Sequence, residues 1–360
     1  MSERFAPGSK TSSKLRCGRV VRVALHYRVA FFPKGSFMVR SVYLGASSAA
    51  RVASDLDRQI VDALTSDGRI SGREIAQRIG VSEATVSRRL ATLEEEGLVV
   101  VRGFIEPKSV GCTGLSLARF VVDGDSAAAA SALARQTGFH RVSRVDGGQQ
   151  LTALVVGSTP AMVLDHIDIA LSTISMLRLE RASEVLCVLP PGCTPPDGFT
   201  IADARVPRQA AIQAKLLQAV QTNIRQSLNH VSEAIKASPS ATRANLQRMI
   251  ETRVVRPVVA TNPHFMGTPV VTQLRMSPRA AFREGLTMVR ELLPHAWIFQ
   301  CIDNESIVAE SAFESFEAVE LRAAAIRNAL ANADVSAHLL LEVHSDLFDW
   351  WCDSPCKSAK

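Results

Sequence analysis

Two stretches of this chain, residues 56–111 and 212–267, lie 156 positions apart and can be laid over one another without a gap. Leu56, Ile60, Ala63 and Leu64 fall on Ile212, Leu216, Ala219 and Val220. Ser82 falls on Ser238, Leu90 on Leu246, Pro107 on Pro263 and Gly111 on Gly267. A pattern that recurs at this distance predicts a chain built from two copies of one module.

Within each copy the apolar spacing describes three short helices. The first has an i, i+4, i+7, i+8 stripe, and the second is brief, with Ile75, Ala76 and Ile79 matched by Val231 and Ile235. Gly80-Val81-Ser82 then makes a turn before a third helix, whose core face is Val86, Leu90 and Leu93 in one copy and Thr242, Leu246 and Met249 in the other. Ser82 and Ser238 stand where a hydroxyl satisfies the orphan amides of a first helical turn, and Pro239 suits the first helical position. Two helices joined by a short Gly-containing turn describe a helix-turn-helix. Residues 98–101 and 104–107 read as the two strands of a wing.

With its apolar residues inward, the third helix turns Ala84, Thr85, Ser87, Arg88 and Ala91 outward, with Arg89 on the flank. The second copy turns out Ser240, Ala241, Arg243, Ala244 and Arg248, with Asn245 on the flank. Small residues allow close approach to a major groove, and Arg and Asn carry donors for guanine and adenine edges. The alternative is the ordinary solvated face of a helix.

The segments LDRQIVDAL, DGRIS and EIAQRIGVSEATVSRRLATLEEEGLV resemble the DNA-binding domain of the Lrp/AsnC family of bacterial transcription regulators. Residues 111–189 are similar to that family's ligand-sensing RAM domain, a βαββαβ unit. Strands are expected at 115–121, 140–145, 151–156 and 176–189, with helices at 126–137 and 160–171. The order recurs at 270–276, 278–293, 297–302, 307–311, 316–331 and 335–343. The expected fold class is therefore α+β: a winged helix-turn-helix followed by a ferredoxin-like RAM domain, the pair present twice. The expected boundaries are 54–110 and 111–189 for the first pair, 190–208 for a Pro/Gly-rich linker, and 209–266 and 267–345 for the second pair. Residues 346–360 form a tail.

The resemblance implies double-stranded DNA as partner, a sequence-specific regulator, a homo-oligomer through RAM sheets, and a small-molecule effector, an amino acid or another metabolite. In the family an effector lies near the turn between the second and third RAM strands, which carries a glycine-acid-x-acid run. Here that turn is Asp146-Gly147-Gly148-Gln149-Gln150, with both acids replaced, and the second turn is Asp303-Asn304-Glu305-Ser306. Asp146, Gly147, Gly148 and Gln150 are the candidate effector residues, against a hairpin turn that merely requires positive φ. Siroheme decarboxylases resemble the same winged-helix-plus-RAM architecture and supply the alternative reading. Such an enzyme needs basic side chains in the RAM cleft, for which His140, Arg141 and Arg144 could be recruited. Ser-His-Asp, P-loop and metal-ligand spacings are not evident, so neither catalysis, a cofactor nor a metal is expected.

The chain carries a formal charge of +6, but residues 1–50 hold nine Lys/Arg and one acid, leaving the rest near −2. Residues 55–108 have eight basic and ten acidic side chains, whereas 205–256 have nine basic and two acidic, so the second winged unit is the more electropositive. Phosphate contacts supply non-specific affinity without any motif. Residues 1–53 read as a basic extension, disordered or, before Met38, outside the native start, with a basic arm along the DNA backbone as the alternative. Arg16, Arg19, Arg22 and Arg28 interrupt its apolar stretch, which argues against a signal-peptide core or a membrane span. Seven scattered cysteines form neither a disulfide framework nor a zinc set, which implies a reduced, cytoplasmic protein.

Overall fold

A computed structural model describes residues 51–193, 210–278, 282–331 and 333–344. Most of the basic extension, most of the linker and the tail, with Trp350, Trp351, Cys352 and Cys356, lie outside the described residues.

Helices α1 (Asp55–Ser66), α2 (Gly72–Ile79) and α3 (Glu83–Glu95) begin the described fold. Ser54, Ser71 and Ser82 cap them, each hydroxyl accepting a first-turn amide, and α2 ends at Gly80 in the left-handed region at φ 73°. Strand β1 (Val99–Ile105), a 3-10 turn (Pro107–Val110), β2 (Gly114–Val122), α4 (Ser126–Leu133), β3 (Phe139–Val145), β4 (Gln150–Gly157), α5 (Pro160–Thr173) and β5 (Leu177–Leu189) come next. The chain continues through α6 (Ala210–Thr222), α7 (Leu228–Ile235), α8 (Pro239–Glu251), β6 (Val255–Thr261), α9 (Pro263–Met266), β7 (Val270–Ser277), α10 (Phe282–Leu292), β8 (Trp297–Cys301), β9 (Ile307–Phe313), α11 (Phe316–Ala329) and β10 (Asp334–Val343).

The wing departs from the hairpin expected at 98–101 and 104–107. β1 runs unbroken through Gly103 and pairs antiparallel with β6, from Val99 opposite Thr261 to Ile105 opposite Val255. A strand that finds its partner on a distant segment has no need to fold back on itself. A Cβ on Gly103 would meet the Val220 carbonyl oxygen at 3.0 Å, so close approach of α6 also favours glycine there. The ribbon is centred on Arg102, which faces Val258, 156 residues further along. Its ends are closed alike: Glu106 N–H donates to Val254 O and Asn262 N–H to Leu98 O, both at 2.9 Å.

Contacts cross this ribbon in both directions. α6 lies on β1 and α1 on β6. Arg102 Nε donates to Gln221 O at 3.0 Å, Arg225 Nη1 to Ile70 O at 2.7 Å, and Arg58 Nη1 to Met266 O at 2.7 Å. One apolar cluster, including Ile60, Leu64, Val86, Leu93, Leu216, Val220, Leu246 and Met249, spans both sets of helices.

The remaining eight strands close into a ring in the order β10-β3-β4-β2-β5-β8-β9-β7. Each half is a four-stranded βαββαβ sheet, and the halves join where β5 pairs with β8 and β10 with β3. Helices α4 and α5 cover the outer face of the first sheet, with Leu133 and Ile167 in the same cluster as Phe120 and Phe139. α10 and α11 cover the second, with Leu286 and Ile326 in the same cluster as Ile298. Strand alternation turns Arg119, Arg141, Gln273, Arg275 and Glu310 to the inner face, where all are buried. The helix expected over 126–137 stops at Leu133. The linker starts from a fixed point, because Arg290 donates to the carbonyls of Leu189, Pro190, Leu293, Pro294 and Ala296. Burial pushes its guanidinium down to about 10.

Ring and winged helices share core. Phe104, 1% exposed, meets Trp297 edge-on with centroids 5.2 Å apart. Replacing Phe104 by Ala is expected to cost about 3–5 kcal/mol, the range for emptying a buried aromatic site, read as a lower urea midpoint with unchanged m.

Candidate nucleic-acid interface

Helix α3 buries Val86, Leu90 and Leu93. Its opposite face leaves Ala84, Ser87, Arg88 and Ala91 exposed and Thr85 half-exposed, the Thr85 hydroxyl lying 2.8 Å from that of Ser82. α8 buries Thr242, Leu246 and Met249 and exposes Ser240, Ala241, Arg243, Ala244 and Arg248, with Asn245 half-exposed. Among the described residues, the guanidinium groups of Arg88, Arg243 and Arg248 have no hydrogen-bond or ion-pair partner, so each can turn toward a ligand in solvent.

Arg89, expected on the flank of that face, is engaged within the protein. Its guanidinium grips the carboxylate of Asp57 with both Nε and Nη2, the second contact at 2.7 Å. Asp57 is fully buried and also receives the Ser54 amide at 2.9 Å and the Ser54 hydroxyl at 2.8 Å. Burial disfavours the charge on Asp57, but the Arg89 and Ser54 hydrogen bonds outweigh it and hold the carboxyl below the usual carboxylate range. The fork therefore fastens α3 to the N-terminus of α1.

The turn expected to hold an effector is likewise occupied. Asp146 accepts from His338 Nδ1 with one oxygen and from Leu339 N–H at 2.9 Å with the other. His338 Nε2 in turn meets the Ser336 hydroxyl at 2.9 Å. This Ser-His-Asp series is a strut between β10 and the β3–β4 turn, each Asp146 oxygen accepting one hydrogen bond. Gly147 and Gly148 have φ of 61° and 87°, which fits the turn alternative. Gln150 is half-buried at the start of β4. On the other half, Asp303 accepts from Ser183 and from Arg181 at 3.3 Å, so each turn aspartate is tied to the last strand of the opposite sheet.

The basic residues that an enzymatic cleft would need are also engaged. Arg141 pairs with Glu310 at 2.7 Å, both side chains 1% exposed, and Arg144 pairs with Glu342 at 2.9 Å. Burial and the neighbouring His166 push His140 down to about 3, which keeps its imidazole neutral. A cavity of about 290 Å³ opens beside the ring, lined by Arg275, Ser277, Glu305, Arg327, Asp334 and Ser336 among others. Among the described residues, no helix is long and apolar enough to cross a membrane.

Residues 54–100 match the family described as winged helix-turn-helix DNA-binding. A leucine-responsive regulatory protein of Rhizobium meliloti is 36% identical over 69 residues, which are 19% of this chain and 43% of that protein. The HTH-type transcriptional regulator AldR of Mycolicibacterium smegmatis is 40% identical over 65 residues, 17% of this chain and 37% of its own. The chain thus spans less than half the length of the curated relatives it matches. The siroheme decarboxylase NirDL overlays on 84% of this chain and 98% of its own with a TM-score of 0.52, at 11% identity, a likeness of fold.

Arg89→Ala is expected to destabilise the protein by about 3 kcal/mol, the lower end for breaking a buried pair, since Arg89 keeps 29% exposure. Because the folded Asp57 carboxyl is depressed, the pair stabilises above the unfolded carboxylate value, and this contribution disappears as pH falls through the folded one. Urea titrations of wild type and Arg89→Ala at pH 7 and pH 3 should show the gap narrowing at the lower pH.

Proposed function

We propose that the protein is a sequence-specific, DNA-binding transcription regulator of the Lrp/AsnC type, made as two copies of a winged-helix-plus-RAM unit on one chain. The observation that carries this reading is the pair of helix faces on α3 and α8, small-residue surfaces with uncommitted guanidinium groups at Arg88, Arg243 and Arg248. The match of residues 54–100 to a DNA-binding family supports it. The centred register of β1 with β6 supports the two-copy reading, since a strand and its counterpart meet as they would across a dimer axis. The closed ring is then a pair of RAM sheets joined within one chain, and further association of chains would use its outer helices. The protein works in the cytoplasm, where duplex operators are reached.

Effector binding, by an amino acid or another metabolite, would share the Asp146 carboxylate with His338 and Leu339, which already donate to it. The cavity lined by Arg275, Glu305, Arg327 and Asp334 is the candidate place for such a molecule.

The second reading, a tetrapyrrole enzyme like the siroheme decarboxylases, draws on the shared fold of NirDL. A polycarboxylate needs free cations and a proton donor. The three residues that the sequence offers for this, Arg141, Arg144 and His140, are two ion-paired guanidinium groups and a neutral imidazole.

The test is a fluorescence-anisotropy titration of the full chain with duplex selected from its own genome. Wild type should bind with a steep salt slope. Arg88→Ala should weaken binding by about 1–3 kcal/mol if it makes a bidentate base contact, with urea stability unchanged. Uptake of a tetrapyrrole seen by absorbance, together with failure to shift any duplex, would replace the regulator by the enzyme.

A further inference from the structure

The two reading faces do not carry the same chemistry. Carried forward by 156 positions, Ala84 becomes Ser240, Thr85 becomes Ala241, Ser87 becomes Arg243, Arg88 becomes Ala244, Ala91 becomes Gln247 and Thr92 becomes Arg248. None of these six positions keeps its residue type. The guanidinium of α3 stands where α8 has a methyl group, and the two of α8 stand where α3 has hydroxyls. The exchanged positions are solvent-facing or half-exposed, whereas the buried positions stay small-to-medium and, apart from Thr242, apolar. The support beneath the faces differs as well. Arg89 is fastened to Asp57, while the corresponding positions are Asn245 and Gln213, which cannot form that ion pair. Asn245 is left half-exposed on the flank of α8.

Resting on the DNA-reading proposal above, we infer that this chain recognises a duplex site that is not an inverted repeat. One half-site is read by Arg88 with Thr85 and Ser87. The other half-site, of different sequence, is read by Arg243 and Arg248 with Asn245. A two-fold arrangement of unlike readers cannot make equivalent contacts to two identical half-sites, because a guanine placed for Arg243 would face Ser87 on the other side. Each bidentate Arg–guanine pair discriminates against the wrong base, so the preferred site is asymmetric and is occupied in one orientation. The α8 side is the tighter anchor, since it brings two uncommitted guanidinium groups against one and lies in the more basic of the two segments.

The test selects sites from a random duplex pool with the full chain, followed by the same selection with Arg88→Ala and with Arg243→Ala/Arg248→Ala. Circular dichroism and urea midpoints confirm that both variants fold. The wild-type motif should hold two unlike half-sites about one helical turn or a multiple apart. Arg88→Ala should lose base preference in one half only and bind the wild-type site about 5- to 150-fold more weakly. The double variant should lose preference in the other half and bind more weakly still. A palindromic motif, or both variants relaxing the same half, overturns the asymmetric reading and leaves DNA reading standing. Failure of the wild-type chain to enrich any duplex removes both.

Discussion

The β1–β6 ribbon is the contact on which the placement of everything else depends. Each strand would leave a row of unpaired amides and carbonyls at the edge of its three-helix unit, and each satisfies the other's row. α6 and α1 bury their apolar faces on the opposite strand, so neither helical unit has a complete core by itself. Below the ribbon, Phe104 and Trp297 carry the same core into the ring of strands. The orientation of α3 relative to α8 therefore depends on a strand register and one continuous apolar interior, with the Arg89–Asp57 fork fastening α3 to α1 on one side.

The ring is joined in a different manner. Its inner face is apolar toward the winged helices, at Leu115, Leu117, Trp297 and Phe299. Other inner-face positions are charged: Arg119 meets Glu305 at 2.9 Å and Arg141 meets Glu310 at 2.7 Å, both across the two sheets. Gln273 supports Glu310 at 3.1 Å and accepts from Arg275 Nε at 2.9 Å. Desolvation offsets much of the attraction in such pairs, so their net contribution to stability is small, while loss of one partner strands the other in a dry interior. Such pairs act on register. A slip of one residue between the sheets would separate the Arg119–Glu305 and Arg141–Glu310 pairs.

The three-helix units and both βαββαβ orders were legible because their signals are local: a stripe of Ile60 and Leu64, a serine before α1, α2, α3 and α8, and Gly80 where φ turns positive. What lay beyond reach depends on residues far apart in the chain. A helical wheel sets Arg89 at the flank of the exposed face of α3, but its partner Asp57 sits 32 residues earlier on another helix. The contact of His338 with the turn at Asp146, 192 residues earlier, is more distant still in the chain. The wing differs from its expected hairpin for a related reason. Gly103 looks like a hairpin signal, and only the presence of β6 and the nearness of Val220 explain why the strand runs straight through it.

Because β1 finds β6 on the same polypeptide, the paired state of the winged helices involves no encounter between separate molecules. An assembly of two subunits falls apart on dilution, and its abundance varies with the square of the free-subunit concentration. Here the two-headed form is present whenever the chain is folded, so its amount tracks synthesis in direct proportion. The same covalent continuity fixes which head sits beside which, and leaves each free to diverge without forcing its neighbour to change.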